Sequence, residues 1–194
     1  MRLLLGTRNP GKVREYRPLL PGLELVQPRE QGIEKGEPEA ANSLEENARA
    51  KALFYAGKGG LLTLAEDSGL FVDALGGAPG VLSARYGPTD EDRVARLLAR
   101  LEGVPTEKRQ ASFRCIIALA RPGEIISTFS GEVAGLIALE PRGTGGFGYD
   151  PVFLVPALGK TLAELPLEEK NRVSHRGQAA RQAFALLEPL AKVP

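Results

Sequence analysis

The chain has 194 residues and 43% hydrophobic content, enough to bury one good core in a single domain, residues 1–194. Its 25 basic and 24 acidic side chains leave a net charge of +1, without the basic excess of a nucleic-acid coat protein or a membrane-surface binder. Anion chemistry must therefore come from local clusters, and a lone cysteine excludes an internal disulfide and a multi-thiolate metal site.

The opening Met1-Arg2-Leu3-Leu4-Leu5-Gly6 is too short for a signal peptide, and no run of about 18 apolar residues follows. A cytoplasmic protein with no membrane partner is expected. Leu3 to Leu5 reads as a short buried strand. Pro10 stands where a helix can begin, and Val13, Tyr16, Leu19 and Leu20 share one helical face. A second helix opens at Ser43-Leu44-Glu45-Glu46, a capping-box pattern, and closes at Gly57, Gly59 and Gly60. Leu61 to Ala65 reads as a buried strand delivering Glu66-Asp67-Ser68-Gly69 at its C-terminal tip.

Thr89-Asp90-Glu91-Asp92 caps a third helix with Val94, Leu97, Leu98 and Leu101 inward. Residues 110–120 and 124–138 read as two long strands joined by Arg121-Pro122-Gly123, a hairpin signal. Cys115 lies in the first of them, inside an apolar run, and reads as a packed core thiol. The glycine-rich stretch from Gly143 to Asp150 must be a loop. Ser174 caps a final helix carrying Ala179, Ala183, Phe184, Leu186 and Leu187. Helices alternating with strands, followed by a long hairpin, indicate an α/β fold with a mixed sheet. Few Asn and Gln, 15 Pro and more Arg than Lys fit a hot-environment source.

Four segments carry chemistry. Thr7-Arg8-Asn9-Pro10-Gly11-Lys12 lies between a strand and a helix, where unpaired amides, the positive dipole end and the lysine suit a phosphate. With Gly6 it nearly spells a Walker A loop, but Val13 stands where that loop needs a hydroxyl and Pro10 removes an amide. Glu66 and Asp67 directly follow an apolar strand, where acids are costly unless solvated, paired or holding a cation. Magnesium takes one or two carboxylates plus phosphate oxygens, and Glu34, Glu37 and Glu39 in an upstream loop offer the second. Phe147 and Tyr149, in the glycine loop ending Gly148-Tyr149-Asp150, offer aromatic faces for a base. Lys170-Asn171-Arg172-Val173-Ser174-His175-Arg176 gathers three cations around the single histidine, an anion- or carbonyl-recognition surface.

Taken in order, these strings resemble the inosine triphosphate pyrophosphatase family of non-standard purine nucleotide hydrolases. The match comprises Thr7 to Lys12, Glu46-Asn47-Ala48 with Lys51, Asp67-Ser68-Gly69-Leu70, Leu75 to Val81 with Ser83-Ala84-Arg85-Tyr86, Gly145 to Pro151, and Glu169-Lys170 with Ser174-His175-Arg176-Gly177. It spans nearly the whole chain. The family's acidic pair is often Asp-Asp; here it is Glu66-Asp67, a departure at the less important position.

The resemblance implies an elongated mixed sheet flanked by helices, with two lobes around a central nucleotide-binding cleft, and a homodimer. It implies hydrolysis of ITP, dITP and XTP to monophosphate and pyrophosphate with Mg2+; the net charge of +1 gives no expectation of a nucleic-acid partner. The expected ligands of the metal are Glu39 and Asp67, with Glu37 the rival of Glu39, and Asp67 also prepares the water. Thr7, Arg8, Asn9, Pro10, Gly11, Lys12, Lys51 and Ser68 are expected at the substrate, chiefly its phosphates. Phe147, Gly148, Tyr149, Asp150, Lys170, His175 and Arg176 are expected at the base, with Arg176 donating to the 6-oxo group. Lys12 and Asp67 are expected to face each other across a groove. The competing readings are a P-loop-like ATPase or kinase, a non-catalytic nucleotide-binding regulator, and a pyrophosphatase of modified pyrimidines.

Overall fold

The computed structural model describes residues 1–36 and 42–191. Its strands are β1 (Arg2–Leu5), β2 (Glu24–Val26), β3 (Thr63–Val72), β4 (Pro79–Gly80), β5 (Gln110–Arg121), β6 (Glu124–Ile137), β7 (Phe153–Val155) and β8 (Lys160–Thr161). The helices are α1 (Pro10–Leu19), α2 (Leu44–Gly59), α3 (Asp90–Arg100), α4 (Leu167–Val173) and α5 (His175–Ala191). The strands form an open mixed sheet flanked by helices, in the order β2-β1-β3-β5-β6-β7-β8, with β4 paired to β3. β1 runs parallel to β2 and β3, whereas β4, β7 and β8 add antiparallel pairs. Among the described residues no helix is long and apolar enough to cross a membrane.

Local chemistry explains most boundaries. Pro10 occupies the first turn of α1, where its missing amide costs nothing. Ser43 caps α2 by accepting from the Glu46 amide, and Gly60 ends it in the left-handed conformation. Thr89 and Asp92 form a reciprocal capping box on α3. The hairpin turns at Pro122-Gly123, where Gly123 takes φ +82°.

Two expectations are corrected, at β3 and at Leu186, and one short helix is added. β3 does not stop at Ala65: Leu70 and Phe71 pair with Gly80 and Pro79, so backbone hydrogen bonding carries the strand past Asp67. Residues 167–173 form a separate short helix, α4, ahead of α5. Leu186 is 41% exposed, because the face of α5 that packs inward carries Ala179, Ala183 and Leu187.

The chain divides into two compact units. The first comprises Met1–Asp67, Cys115–Gly131 and Arg176–Pro194, and the second Ser68–Arg114 and Glu132–His175. In the first unit, side-chain alternation along the strands builds two layers. Leu64, Cys115, Ile117 and Leu119 pack with Val13 and Tyr16 of α1 and Ala179, Ala183 and Leu187 of α5. On the other face, Ala65, Ala118 and Ala120 meet Ala48, Ala52 and Ala56, small side chains that let α2 approach closely. The second unit has its own core, built by Leu70, Val72, Leu97, Leu101, Phe113, Phe153 and their neighbours.

Candidate active site

The alternation that sorts Leu64 from Ala65 continues into the acids. Glu66 follows the α1/α5 face and Asp67 the α2 face, and their partners differ accordingly. On the α2 face, Asn47 and Lys51 stand one helical turn apart and both reach Asp67. Lys51 Nζ donates to Asp67 Oδ1 at 2.7 Å and to the Glu66 carbonyl at 3.1 Å, and Asn47 Nδ2 donates to Asp67 Oδ2 at 3.0 Å. Both members of the Lys51–Asp67 pair are buried, so their charges are little screened.

On the opposite face Glu66 accepts from four side chains. Lys12 Nζ lies 2.9 Å from Oε1, Arg176 Nη2 and Nε donate to the two oxygens at 2.8 Å each, and the Tyr16 hydroxyl and Cys115 thiol donate to Oε2. The third Arg176 nitrogen, Nη1, donates to Glu15 Oε2 at 2.6 Å, with Glu15 wholly buried in α1. Burial alone would push the Glu66 carboxyl up, but the charges of Arg176 and Lys12 outweigh it and hold it well below the usual carboxylate range. Burial, reinforced by the Glu66 charge, pushes the Tyr16 hydroxyl and the Cys115 thiol up. Burial opposes the charge on Arg176, yet Glu66 and Glu15 raise its pKa well above the ordinary arginine value.

At the start of α1, Asn9 Oδ1 accepts from the Gly11 and Lys12 amides at 2.8 and 3.2 Å, and the Asn9 amide donates to Thr7 Oγ1. The helix end is thus already capped by its own side chain. Val13 is a core residue, and no hydroxyl stands where a P-loop holds its metal. The P-loop reading loses its structural basis. Beside this turn, Thr7, Arg8, Pro10, Gln27, Pro28 and Arg29 line a cavity of about 300 Å³, with two arginines on its wall. Glu37 and Glu39, the expected carboxylates from the loop, lie outside the described residues.

In the second unit, Lys170 Nζ pairs with Asp150 Oδ2 and lies 5.1 Å from the centre of the Phe147 ring. Asp150 Oδ2 also accepts from the Phe147 amide at 2.7 Å, and the Gly148 amide donates to Asp90. A Cβ on Gly146 would meet Asp150 Oδ2 at 2.0 Å with φ at +71°, so only glycine allows this closed loop. Phe147 is half-buried. Tyr149, expected to stack on a base, is 4% exposed in the core and donates its hydroxyl to the Ser83 carbonyl. That placement corrects the expectation: the ring faces apolar neighbours. His175 is also buried, stacked on Phe113 with centroids 4.7 Å apart. Ser68 follows Asp67 on β3 and is half-buried.

The structure therefore brings Asp67 onto Lys51, Lys12 and Arg176 onto Glu66, and Phe147, Asp150 and Lys170 together. Lys12 is tied to Glu66 and Lys51 to Asp67, two consecutive residues of β3. Glu15 and Tyr16 were not expected at the site, and Glu66 and Asn47 were named in the chemistry-bearing and matching strings without a role of their own. The string holding Asn47 with Lys51 at helical spacing was a usable signal, whereas nothing in the sequence marks Glu15 as buried.

A sequence model of the Ham1 family matches residues 3–186. The chain is 53% identical over 187 residues to a dITP/XTP pyrophosphatase of Geobacter sulfurreducens, covering 92% of each chain. It is 50% identical to a dITP/XTP pyrophosphatase of Symbiobacterium thermophilum, over 97% of this chain and 96% of that one. The structure resembles a HAM1 protein from Coxiella burnetii with TM-score 0.86 and 39% identity, covering 97% of this chain and 99% of that one.

Proposed function

This chain belongs to the Ham1 family, and on that premise we propose that it hydrolyses dITP, ITP and XTP to the monophosphate and pyrophosphate, clearing non-standard purines from the nucleotide pool. The observation that carries the reading is the buried Asp67 carboxylate clamped by Lys51 and Asn47 within a chain that matches the family along its length.

A triphosphate brings about four negative charges, which must be neutralised before an oxygen nucleophile can approach phosphorus. Lys12 and Lys51 are assigned to that task, with Thr7, Arg8 and the turn through Asn9, Pro10 and Gly11 shaping the phosphate end and Ser68 beside it. Asp67 orients a water and takes its proton as the oxygen attacks the α-phosphorus. The bond from that phosphorus to the bridging oxygen breaks, and pyrophosphate leaves with the electron pair. The buried carboxylate of Asp67 is a hard oxygen donor of the kind magnesium prefers, and Glu39 is proposed as its companion. Magnesium bound there would neutralise polyphosphate charge.

Phe147 is assigned to the base ring, with Gly148, Asp150 and Lys170 shaping the pocket and Tyr149 holding the loop from the core. The His175-Arg176 segment is assigned to the 6-oxo group, which accepts a hydrogen bond where the 6-amino group of adenine donates, with Arg176 supporting the segment through its interior pairs with Glu66 and Glu15. A mismatched buried partner costs about 1–3 kcal/mol, which is tenfold or more in discrimination. The enzyme is taken as a homodimer, on the family resemblance, and as a single cytoplasmic domain, residues 1–194, on its length and sequence pattern.

Product analysis on ITP, dITP, XTP, GTP and ATP, with and without magnesium, tests the proposal. Pyrophosphate from the first three, dependent on magnesium, is expected. Orthophosphate from ATP, or tight ITP binding without turnover, defeats it.

A further inference from the structure

We propose that Glu66 is a positioning residue for the hydrolysis, fixing the Lys12 ammonium through a carboxylate that Arg176 anchors in the interior. The inference rests on the pyrophosphatase reading, in which Lys12 meets the polyphosphate.

Glu66 joins two environments. Its Arg176 side is wholly interior: the guanidinium grips both oxygens at 2.8 Å, and its third nitrogen is held by buried Glu15. Its Lys12 side is different, because the Lys12 side chain keeps 16% exposure and its ammonium spends one contact on Glu66 Oε1. An ammonium has three N–H donors, so this contact can orient Lys12 and still leave donors for a phosphate. Lysine otherwise swings on a flexible four-carbon stem. The Tyr16 hydroxyl and Cys115 thiol also donate to the carboxylate, at Oε2. Glu66 is also the residue before Asp67, so the same strand sets the phosphate-facing cation and the catalytic carboxylate.

Charge separates this role from simple support. Lys12 and Arg176 balance Glu66 and Glu15, giving a neutral cluster. Glu66→Gln leaves that cluster with a net charge of about +1, which keeps or raises its attraction for an anion while Lys12 loses its fixed place. Displacing a positioning group by about 1 Å can cost 10²-fold in rate. Affinity and turnover should therefore part.

The experiment uses the full-length protein in four forms: the parent, Glu66→Gln, Glu66→Asp and Lys12→Met. Turnover of ITP is measured per folded molecule, and inorganic pyrophosphate affinity is measured by calorimetry. Glu66→Gln is expected to lower kcat about 10- to 100-fold with pyrophosphate bound no more weakly than in the parent, and Glu66→Asp, which keeps the charge but withdraws the carboxylate by one methylene, to recover part of kcat. Lys12→Met should weaken pyrophosphate binding. Parent-like kcat in Glu66→Gln, or parallel loss of kcat and pyrophosphate affinity, overturns the positioning role and leaves the pyrophosphatase reading standing. Undiminished pyrophosphate binding by Lys12→Met instead removes Lys12 from the phosphate site, and the inference falls with that assignment. If Glu66→Gln does not fold, the parent itself decides through the side-chain ¹⁵N resonance of Lys12, assigned by its loss in Lys12→Met. A resonance protected from exchange, which shifts when pyrophosphate is added, supports the proposal. One averaged like an exposed lysine, or unmoved by pyrophosphate, refutes it.

Discussion

Arg176 and Glu66 are 110 residues apart in sequence, yet two guanidinium nitrogens meet both oxygens of that one carboxylate at 2.8 Å. The third nitrogen is held by Glu15, and none of the three side chains is more than 3% exposed. Removing the guanidinium strands two buried carboxylates, and breaking a buried pair in this way costs about 3–5 kcal/mol. Arg176→Ala should lower the melting temperature by roughly 6–20 °C for a chain of this size. A drop of under about 3 °C by calorimetry would mean the pair contributes no more than a surface bridge. Substrate discrimination is accordingly better tested in Arg176→Lys, which retains a cation.

Asp67→Asn keeps the shape of the side chain and an oxygen for Lys51 while removing the negative charge. If Asp67 prepares the water, ITP turnover should fall about 10²- to 10⁴-fold with the fold unchanged by circular dichroism. Near-parent turnover under saturating magnesium would remove Asp67 from both of its assigned roles.

Tyr16 and Cys115 shape the alkaline limb of stability. Both have folded-state pKa values raised by burial and then by Glu66. For a group raised in this way the stabilisation is full below the unfolded pKa, about 8.5 for the thiol and about 10 for the phenol, and is lost as pH rises through the folded value. Urea midpoints should decline above about pH 8.5 and more steeply above about pH 10. Tyr16→Phe should flatten the second part of that decline. It should also lower stability near neutrality by about 1.5–3 kcal/mol, the range for a hydrogen bond to a charged group. An unchanged slope above pH 10 would contradict the assignment. For the same reason Cys115 should resist a thiol reagent until the chain unfolds.

Two glycines make a paired test of packing. A Cβ on Gly69 would stand 2.4 Å from the Gly80 carbonyl, which β3–β4 pairing holds in place. Gly69→Ala should destabilise by about 1–3 kcal/mol, as overpacking does. Gly57, inside α2, has nothing within 4 Å of the same position. Gly57→Ala should stabilise by about 0.4–1 kcal/mol, because the helix loses less chain entropy on folding. Equal shifts in melting temperature at the two positions would show that local space is not what separates them.

The sequence by itself determined the features whose causes lie within about ten residues. Ser43 and Thr89 begin helices because each reaches the amide three residues on, and Pro122-Gly123 turns the hairpin because glycine accepts positive φ. The ordered strings around Lys12, Lys51, Asp67 and Lys170 identified the family for the same local reason. Only the tertiary structure decided which charges are interior and whom they face. Read along the chain, Glu15 is one polar position on a helix and Glu66 the lesser of two acids. Both are buried because α1, β3, β5 and α5 converge with Arg176 at their centre. Tyr149 followed the same logic: a glycine loop announces an exposed aromatic, but the ring found apolar neighbours first. A local pattern records backbone preference, whereas the ionic partner of a buried carboxylate is set by strand neighbours many residues away.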